Sequence, residues 1–202
     1  MKLFSYVIPR DFGFAPNPFH GICTLATCKP NIRKSASVND WVIGTGSANY
    51  DLRGKLIYAM QVSEVLTFDE YWNDPRFHCK RPDLSGSLKI RLGDNIYHRK
   101  RDVEEWEQED SHHSYEGGGI NLANVMNDTG HTENVLIGRR YAYWGKDAID
   151  IPDRFRNHTG YDIVKSGPGH KCLFPEDLVQ EFAGWFKSLN AQGFMGAPSE
   201  FP

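Results

Sequence analysis

Side chains that can act as general acids or bases cluster in the segment 94–98. Asp94, Tyr97 and His98 are side-chain types that enzymes use for general acid–base catalysis. On a strand, Asp94, Ile96 and His98 would share one face, so Asp94 and His98 could approach the same cleft. Asp94, Tyr97 and His98 are therefore the candidate catalytic residues. The alternative, which the pattern favours, is that Asp94 and His98 brace the fold through hydrogen bonds.

The histidines and cysteines show no spacing typical of a metal site. His112 and His113 are adjacent and point in different directions on a helix or a strand, so one metal ion cannot easily take both. Three further histidines lie on separate segments, at His98, His131 and His170. The cysteines form no C-x-x-C pair and match no common zinc pattern; they are Cys23, Cys28, Cys79 and Cys172. We predict free thiols, no metal and no other cofactor.

A second set of residues could hold a nucleobase and its phosphate. An aromatic face stacks on any base and contributes about 1–3 kcal/mol. Aromatic residues in loops or at predicted strand ends are Trp41, Tyr71, Trp72, Tyr97, Tyr115, Tyr143 and Trp144. Polar residues that could read a base edge are Asn17, Asp40, Ser47, Asn95 and Ser114. Basic residues that could contact phosphate are Lys29, Arg33, Lys34, Arg53 and Lys55. For any single aromatic residue, filling the core is the favoured alternative.

The loop between Asp11 and Gly21 combines rigid turns with apolar side chains. Two prolines and two glycines prevent regular structure there, yet the loop carries Phe12, Phe14 and Phe19. Because a solvated loop would be polar, this loop is either packed on the core or holds a ligand.

Hydrophobic patterns predict the elements that would position these residues. Strands are expected at 3–8, just before Ser47, at 55–66 and at 134–144. A short helix is expected at 67–73, where Thr67 and Glu70 form a capping-box pattern. A second helix, with one apolar face, is expected at 175–190. The segment 44–47 lacks the lysine and the spacing of a phosphate loop, so a tight turn is expected there.

Length, charge and hydropathy exclude several classes of protein. A chain of 202 residues fits a single domain, 1–202. A polar, glycine-rich insertion at about 78–128, apart from its core at Asp94–His98, is expected to be the most mobile part of the chain. The net charge of −3 would not draw the whole protein to nucleic acid. Without a signal peptide or the roughly 20 apolar residues of a membrane span, the protein is expected to be cytoplasmic, with no membrane partner.

Several segments resemble one known family. The specific ones are Phe-Ala-Pro-Asn-Pro-Phe at 14–19 and Tyr-Trp-x-Asp-Pro-Arg-Phe at 71–77. Others are Phe4–Val7, Cys23–Arg33, Asp40–Gly44, Leu56–Met60 and Asp94–His98. From the start of the chain to about Trp144, they resemble the second family of nucleotide modification-associated domains. The resemblance implies a place in a system that makes or handles modified DNA bases.

A weaker resemblance implies a fold. In EVE and other PUA-like domains, a glycine-Asp-aromatic-Val strand precedes a glycine-rich apolar strand. The segments Asn39–Ile43 and Gly54–Val62 keep this order, with Asn39 where the glycine is usual. Such domains are small β-barrels that flip a base into a pocket. The fold implied is α+β: a PUA-like (EVE/ASCH-like) partly open barrel of about five to seven strands with flanking helices and a C-terminal amphipathic helix.

The function implied is recognition of a nucleobase, in particular a modified one, in DNA or in a free nucleotide. Stacking would come from Phe14, Trp41 and Tyr71 or Trp72, in a cleft that includes Phe19. The base edge would be read by Asn17, Asp40, Ser47, Asn95 and Ser114, and a phosphate by Lys29 or Arg33. Recognition of an extruded base selects bases whose unpairing costs little.

Two alternatives stay open. One is an enzyme that acts on nucleotides or modified bases through Asp94, Tyr97, His98 and the adjacent pair His112 and His113. The other is a protein-interaction module of a DNA-modification or phage-defence system, with the segment 78–128 as its partner surface.

Overall fold

The chain forms two compact units in the computed structural model, which describes residues 1–100 and 103–202. The first unit comprises Met1–Phe12, Ala36–Ser63 and Gly138–Pro202. The second comprises Gly13–Ser35 and Glu64–Ile137, and so includes the predicted insertion at 78–128. Arg101 and Asp102, which belong to that insertion, lie outside the described residues.

Strands and short helices are mixed along the described chain. The strands are β1 (Leu3–Ile8), β2 (Cys23–Leu25), β3 (Trp41–Gly46), β4 (Leu56–Gln61), β5 (Glu64–Thr67), β6 (Tyr97–Arg99), β7 (Trp106–Gln108), β8 (Asn134–Gly138), β9 (Arg140–Tyr143), β10 (His170–Lys171) and β11 (Gly193–Phe194). The α-helices are α1 (Pro30–Ser35), α2 (Phe68–Asn73), α3 (Leu88–Arg91), α4 (Leu122–Thr129), α5 (Asp153–Arg156) and α6 (Glu176–Ser188). Short 3₁₀ helices lie at Ala48–Tyr50, Pro75–Lys80 and Gly145–Asp147. This mixture confirms the predicted α+β class.

The first unit is built on a six-stranded sheet in the order β10-β1-β3-β4-β9-β11. Strand β1 pairs parallel with β3, and β3 pairs antiparallel with β4. All six residues of β3 are buried, as expected for a strand covered on both faces. The strands predicted at 3–8 and just before Ser47 are therefore confirmed.

Helix α6 packs its apolar stripe into the core of the first unit. Its Phe182 and Phe186 rings lie 5.7 and 4.8 Å from the ring of Trp41, which is fully buried. Burying side chains of this size stabilises the fold by about 1.5–3 kcal/mol each. The helix begins directly after Pro175, close to the predicted bounds of 175–190. The predicted C-terminal amphipathic helix is confirmed.

The second unit contains a three-stranded sheet in the order β2-β8-β5 and the hairpin β6-β7. Helix α2 follows β5 directly and is capped as its sequence predicts. The Glu70 N–H donates to the Thr67 hydroxyl at 3.2 Å, and the Thr67 N–H donates to the Glu70 carboxylate at 2.7 Å. This reciprocal pair confirms the capping box, and such a cap stabilises a helix by about 0.5–2 kcal/mol.

The loop between Asp11 and Gly21, which we call the phenylalanine loop, is fixed from Gly13 onward by a buried lysine of the second unit. The Lys80 ammonium, 1% exposed, donates to both oxygens of Asn17 at 3.0 and 2.7 Å and to the Ile22 carbonyl at 2.7 Å. Burial lowers the pKa of Lys80. Phe14 and Phe19 are buried as well. The loop is thus packed on the core, which is one of the two alternatives that its composition left open.

Two predicted strands are wrong in length. The segment 55–66 divides into β4 and β5, and 134–144 divides into β8 and β9, with the halves in different sheets. The breaks meet where the Arg139 N–H donates to the Ser63 hydroxyl at 3.1 Å. A Cβ added at Gly138 would lie 2.9 Å from the Met60 Cβ, so glycine allows a close approach there. Because apolar residues continue on both sides of each break, the sequence pattern did not reveal the breaks.

Three separate sheets contain the described strands, and these sheets form no closed barrel. The PUA-like architecture therefore remains a prediction. None of the described helices has the length and apolar composition needed to cross a membrane.

Candidate functional site

Cys28 lies in a strained turn that joins β2 to α1 in the second unit. Cys28 and Lys29 both have positive φ, at 55° and 44°, a conformation that is costly for residues other than glycine. Helix α1 then starts at Pro30, whose fixed φ suits a first helical position. Arg33 reaches back from α1 and donates to the Cys28 carbonyl at 2.8 Å. This contact fixes the backbone that carries the thiol, and strain of this kind is often found at functional sites.

His113 is held by a compact turn between β7 and α4. The Ser114 hydroxyl donates to the Ser111 carbonyl at 2.8 Å and accepts the Ser111 N–H at 3.0 Å. The His113 carbonyl accepts the side-chain amides of Gln108 and Asn124 at 3.1 and 2.8 Å. The imidazole packs against Phe14 at 4.7 Å between ring centroids. Backbone and ring are therefore both fixed.

Asp128 lies in the last turn of α4, and its carboxylate is completely buried. One oxygen, Oδ1, accepts the Cys28 N–H at 2.8 Å and the Asn127 side-chain amide at 3.1 Å. The other, Oδ2, lies 3.0 Å from the Tyr97 hydroxyl and 2.9 Å from His113 Nδ1. Each carboxylate oxygen thus has two partners, and together they compensate for the burial of the charge.

Cys28, His113 and Asp128 form one chain of contacts, which we call the Cys28 triad. The Cys28 sulfur lies 3.6 Å from His113 Nε2, and the opposite ring nitrogen binds Asp128. Because Asp128 accepts the Nδ1 proton, Nε2 is the nitrogen that exchanges a proton with the thiol. The imidazole is 13% exposed and Cys28 is half-buried. This is the order of nucleophile, base and orienting carboxylate that activates a cysteine in enzymes.

The environment of the triad favours a charged imidazole. Burial by itself lowers the pKa of His113, but hydrogen bonds to Asp128 and Cys28 outweigh it and raise the pKa to about 9. An imidazolium at this position stabilises a thiolate, the nucleophilic form of cysteine. Burial and the nearby Asp128 raise the pKa of Tyr97, so its hydroxyl remains a neutral donor to the carboxylate. Burial lowers the pKa of Lys29, while the adjacent Cys28 opposes that effect.

The same three residues could also hold a metal ion, since their ligand atoms all lie within 4.8 Å of one another. Thiolate, imidazole and carboxylate form a donor set that suits zinc. However, both oxygens of Asp128 already have two partners each, and both ring nitrogens of His113 are engaged. A metal would have to displace several of these bonds. The arrangement therefore favours acid–base and nucleophilic chemistry, and the absence of a metal remains a prediction.

Several residues predicted from the sequence lie at or beside the triad. Phe14 contacts His113, Lys29 follows Cys28, and Tyr97 binds Asp128. Arg33, predicted to contact phosphate, is fully buried and donates to the backbone carbonyls of Cys28, Asp128 and Asn134. The structure thus gives Arg33 a scaffolding position. Ser114, predicted to read a base edge, forms the turn that carries His113.

Asp94 belongs to a different buried cluster of the second unit. Its carboxylate accepts the hydroxyls of Thr24 at 2.6 Å and Tyr71 at 2.8 Å. Burial raises its pKa, and the nearby Lys80 opposes that effect. Asn95 donates its side-chain amide to the Tyr71 carbonyl at 3.1 Å. These contacts, like those of Asn17 with Lys80, are typical of residues that brace a fold.

His98 and Trp72 form a third group in the second unit. The two rings stack at 4.0 Å, and His98 Nε2 binds Glu109 at 3.0 Å. The Arg81 guanidinium lies 3.7 Å from the centre of the Trp72 ring. His98 thus contacts neither Asp94 nor the Cys28 triad in any described hydrogen bond.

The remaining predicted residues belong to the first unit. Trp41 is a core residue, and Asp40 accepts the backbone N–H groups of Lys2 at 2.7 Å and Ser37 at 2.9 Å. Strand β3 continues through Gly46, and Ser47 then caps the 3₁₀ helix Ala48–Tyr50. Since Phe14 and Trp41 belong to different units, a cleft that joins them remains a prediction.

The sequence analysis did not identify Cys28 and Asp128 as candidate functional residues. Cys28 was expected to be a free thiol, which is confirmed, together with the other three cysteines. Its partners lie 85 and 100 residues further along the chain. Cysteine, histidine and aspartate at such distances form no local motif, although a lone cysteine with a distant histidine is a known pattern for a thiol nucleophile.

Comparison with known proteins identifies the family. No curated protein and no solved structure gives a significant match to this chain. The family model described as nucleotide modification associated domain 2 matches residues 1–202. This match extends over the whole chain, beyond the limit at about Trp144 that the motifs indicated. The chain therefore belongs to the nucleotide modification associated domain 2 family.

Proposed function

We propose that the chain is an enzyme that removes or transfers an acyl group of a modified nucleotide, with Cys28 as the nucleophile. The observation that carries this proposal is the Cys28 triad. Its distances are 3.6 Å from sulfur to imidazole and 2.9 Å from imidazole to carboxylate. The nucleotide context comes from the family to which the chain belongs. The proposed substrates carry an amide or ester on the base or sugar.

The first half of the reaction forms a thioester. The Cys28 thiolate attacks the acyl carbon, and a bond forms between sulfur and carbon. The bond from that carbon to the nucleotide nitrogen or oxygen breaks, and the leaving group takes a proton from His113 Nε2. Asp128 keeps the imidazole in the orientation in which Nε2 faces the sulfur.

The second half regenerates the enzyme. Neutral His113 takes a proton from water, whose oxygen attacks the thioester carbon. The carbon–sulfur bond breaks, a carboxylic acid leaves, and the thiolate returns to its place beside the imidazolium. If a second nucleotide amine replaced water, the same steps would transfer the acyl group. No oxidant or reductant takes part.

Base recognition without chemistry is the second candidate function. It is favoured by Tyr115, which follows His113 by two residues and is 59% exposed. Such an exposed ring could stack on a base at about 1–3 kcal/mol. In this reading, the predicted partner, a nucleotide or nucleic acid with a modified base, would bind beside the triad and leave unchanged.

The two candidates differ in whether a covalent intermediate forms. The test incubates the protein with N4-acetyldeoxycytidine 5′-monophosphate and follows the free nucleotide by chromatography and the protein by mass spectrometry after acid quench. We expect deacetylation, with transient addition of one acetyl group at Cys28. Cys28→Ser should abolish both signals, whereas Cys79→Ser, which changes an exposed thiol, should change neither.

Deacetylation that persists in Cys28→Ser would contradict the enzyme proposal. Binding by the parent protein with neither turnover nor acetyl-enzyme would favour the recognition function instead. Tyr115→Ala would then weaken binding, whereas Cys28→Ser would not.

A further inference from the structure

A basic pocket lies in the first unit, where no catalytic residue has been assigned. Its volume is about 700 Å³, within the range of about 300–1,000 Å³ that is typical of small-molecule sites. Its walls come from the end of β3, the turn before β4, helix α5 and the segment that leads into β10. All of these residues belong to the first unit.

The charge of this pocket is opposite to that of the whole protein. Its basic lining residues are Arg53, Arg156, Lys165 and Lys171, and its single acidic one is Asp162. The chain as a whole carries a net charge of −3. Positive charge concentrated in a concave site attracts anions, although the surface in general does not.

Two of the four cations are already engaged. Arg156 forms an ion pair with Asp162 at 3.0 Å. The Lys171 ammonium donates to the carbonyls of Asp162 and Val164, both at 2.8 Å. Arg156 and Lys171 therefore act as supports for the wall.

The other two cations have no acidic partner within the part of the chain that the structure describes. Among the described residues, neither Arg53 nor Lys165 forms an ion pair, and Lys165 donates only to the Ser166 carbonyl. Arg53 is exposed, and Lys165 is half-buried. A guanidinium and an ammonium without carboxylate partners at one pocket form a binding pair for a phosphate, which guanidinium groups bind in a bidentate fashion.

Two glycines in the lining of this pocket allow close approaches to the backbone. A Cβ added at Gly46 would lie 2.1 Å from the Leu52 carbonyl oxygen, so that close approach requires glycine. Gly54 has φ +75°, and a Cβ added there would lie 3.0 Å from Arg156 Nη1. Its lack of a side chain therefore leaves room for the Arg156 guanidinium against the backbone next to Arg53.

We propose that this pocket binds a phosphate group of a nucleotide, with Arg53 and Lys165 as its direct ligands. Ser47, predicted from the sequence to contact a base edge, lines the same pocket. The phosphate belongs either to a free nucleotide or to a DNA backbone, which offer the same chemistry. This site adds a phosphate-binding function to the chain and does not depend on the chemistry of Cys28.

Calorimetric titration with four probes tests the proposal. The probes are inorganic pyrophosphate, thymidine 5′-monophosphate, unphosphorylated thymidine and a short single-stranded DNA oligonucleotide. We expect the phosphorylated probes to bind at least about ten-fold more tightly than thymidine. Saturable binding of the monophosphate that exceeds the affinity for the oligonucleotide would identify a free nucleotide as the ligand. The reverse order, with a steep dependence on salt, would identify a nucleic acid backbone.

Variants that change one charge locate the site. Arg53→Gln and Lys165→Gln should each weaken binding of the preferred probe about ten-fold. Lys187→Gln removes the same charge from an exposed residue of α6 in the same unit and should have no effect. Arg53 and Lys165 form no ion pair among the described residues, so neither substitution should lower the melting temperature.

Wild-type affinity in both variants, or equal affinity for thymidine and its monophosphate, would overturn the proposal. Because the assay measures binding and not turnover, a failure of the Cys28 chemistry would leave its result unaffected.

Discussion

Replacing Asp128 by asparagine should disable the Cys28 triad while changing the volume of the side chain very little. Both carboxylate oxygens now have two partners, with Cys28 and Asn127 on one side and Tyr97 and His113 on the other. An amide keeps one acceptor oxygen and turns an NH₂ group toward the other side. If that group faces His113, Nδ1 must accept, so the ring becomes neutral with its proton on Nε2, and Cys28 loses the imidazolium beside it.

The size of the effect follows from the pKa of His113. Its value is about 9 against an ordinary 6.5, and one pKa unit corresponds to about 1.4 kcal/mol. The hydrogen bonds and charges of Asp128 and Cys28 thus stabilise the imidazolium by about 3 kcal/mol more than burial destabilises it. If Asp128 supplies most of this, His113 of the variant would be about one-tenth protonated at pH 7.5. If the rate follows the fraction of protonated imidazole, alkylation of Cys28 at that pH should then fall by about ten-fold.

Iodoacetamide labelling followed by mass spectrometry measures this rate, and the exposed Cys79 of the same chain is an internal reference. Asn127→Ala is the matched control, because it removes another donor to Asp128 from an exposed position. NMR titration of the His113 ring gives the pKa directly. An unchanged His113 pKa and an unchanged Cys28 rate in folded Asp128→Asn would refute the reasoning.

Four further predictions concern stability, metal content and mobility. Because the pKa of His113 is raised, the stabilising effect of its charged form is complete below about pH 6.5 and is lost as the pH rises through about 9. The melting temperature of the wild type should therefore fall more steeply over this pH range than that of His113→Gln. Parallel curves of melting temperature against pH would contradict this prediction. Lys80→Met should lower the free energy of unfolding by about 2–4 kcal/mol, because buried acceptors on Asn17 and Ile22 lose their hydrogen-bond donor. Urea denaturation measures this change, and Lys34→Met, at an exposed position, is the control. Elemental analysis should find no stoichiometric metal, and one equivalent of zinc would show that the triad is a metal site. Hydrogen exchange should be fastest within 78–128, apart from the buried segment Asp94–His98. Strong protection of the rest of this range in the free protein would contradict the expectation.

Elements with strong local signals could be predicted from the sequence. The N-cap of α2 and the apolar stripe of α6 depend on residues within a few positions of one another, and both are confirmed. The break between β4 and β5 could not be predicted, because the apolar run continues across it and only the pairing of strands reveals the change of sheet. The local sequence pattern thus predicted the helices and strands but not which strands pair with one another.

The candidate site was harder to predict than the fold. Aromatic type alone does not distinguish a stacking residue from a core residue, and Trp41 packs between the sheet and α6. Lys80 is a residue type that is almost never fully buried, so its role in fixing the phenylalanine loop had no signal in the sequence. Tyr97 was predicted as an acid–base group, whereas in the structure its hydroxyl donates to the Asp128 carboxylate.

The order of the triad along the chain has a consequence for synthesis in the cell. Cys28 belongs to the first segment of the second unit, and Asp128 follows it by 100 residues in the other segment. At about 5–20 residues per second, a ribosome needs about 5–20 s to add those residues. Until then, the nascent chain carries a thiol without its base or its orienting carboxylate. If Cys28 is the nucleophile that we propose, the thiol would gain its base and its orienting carboxylate only when both segments have folded together.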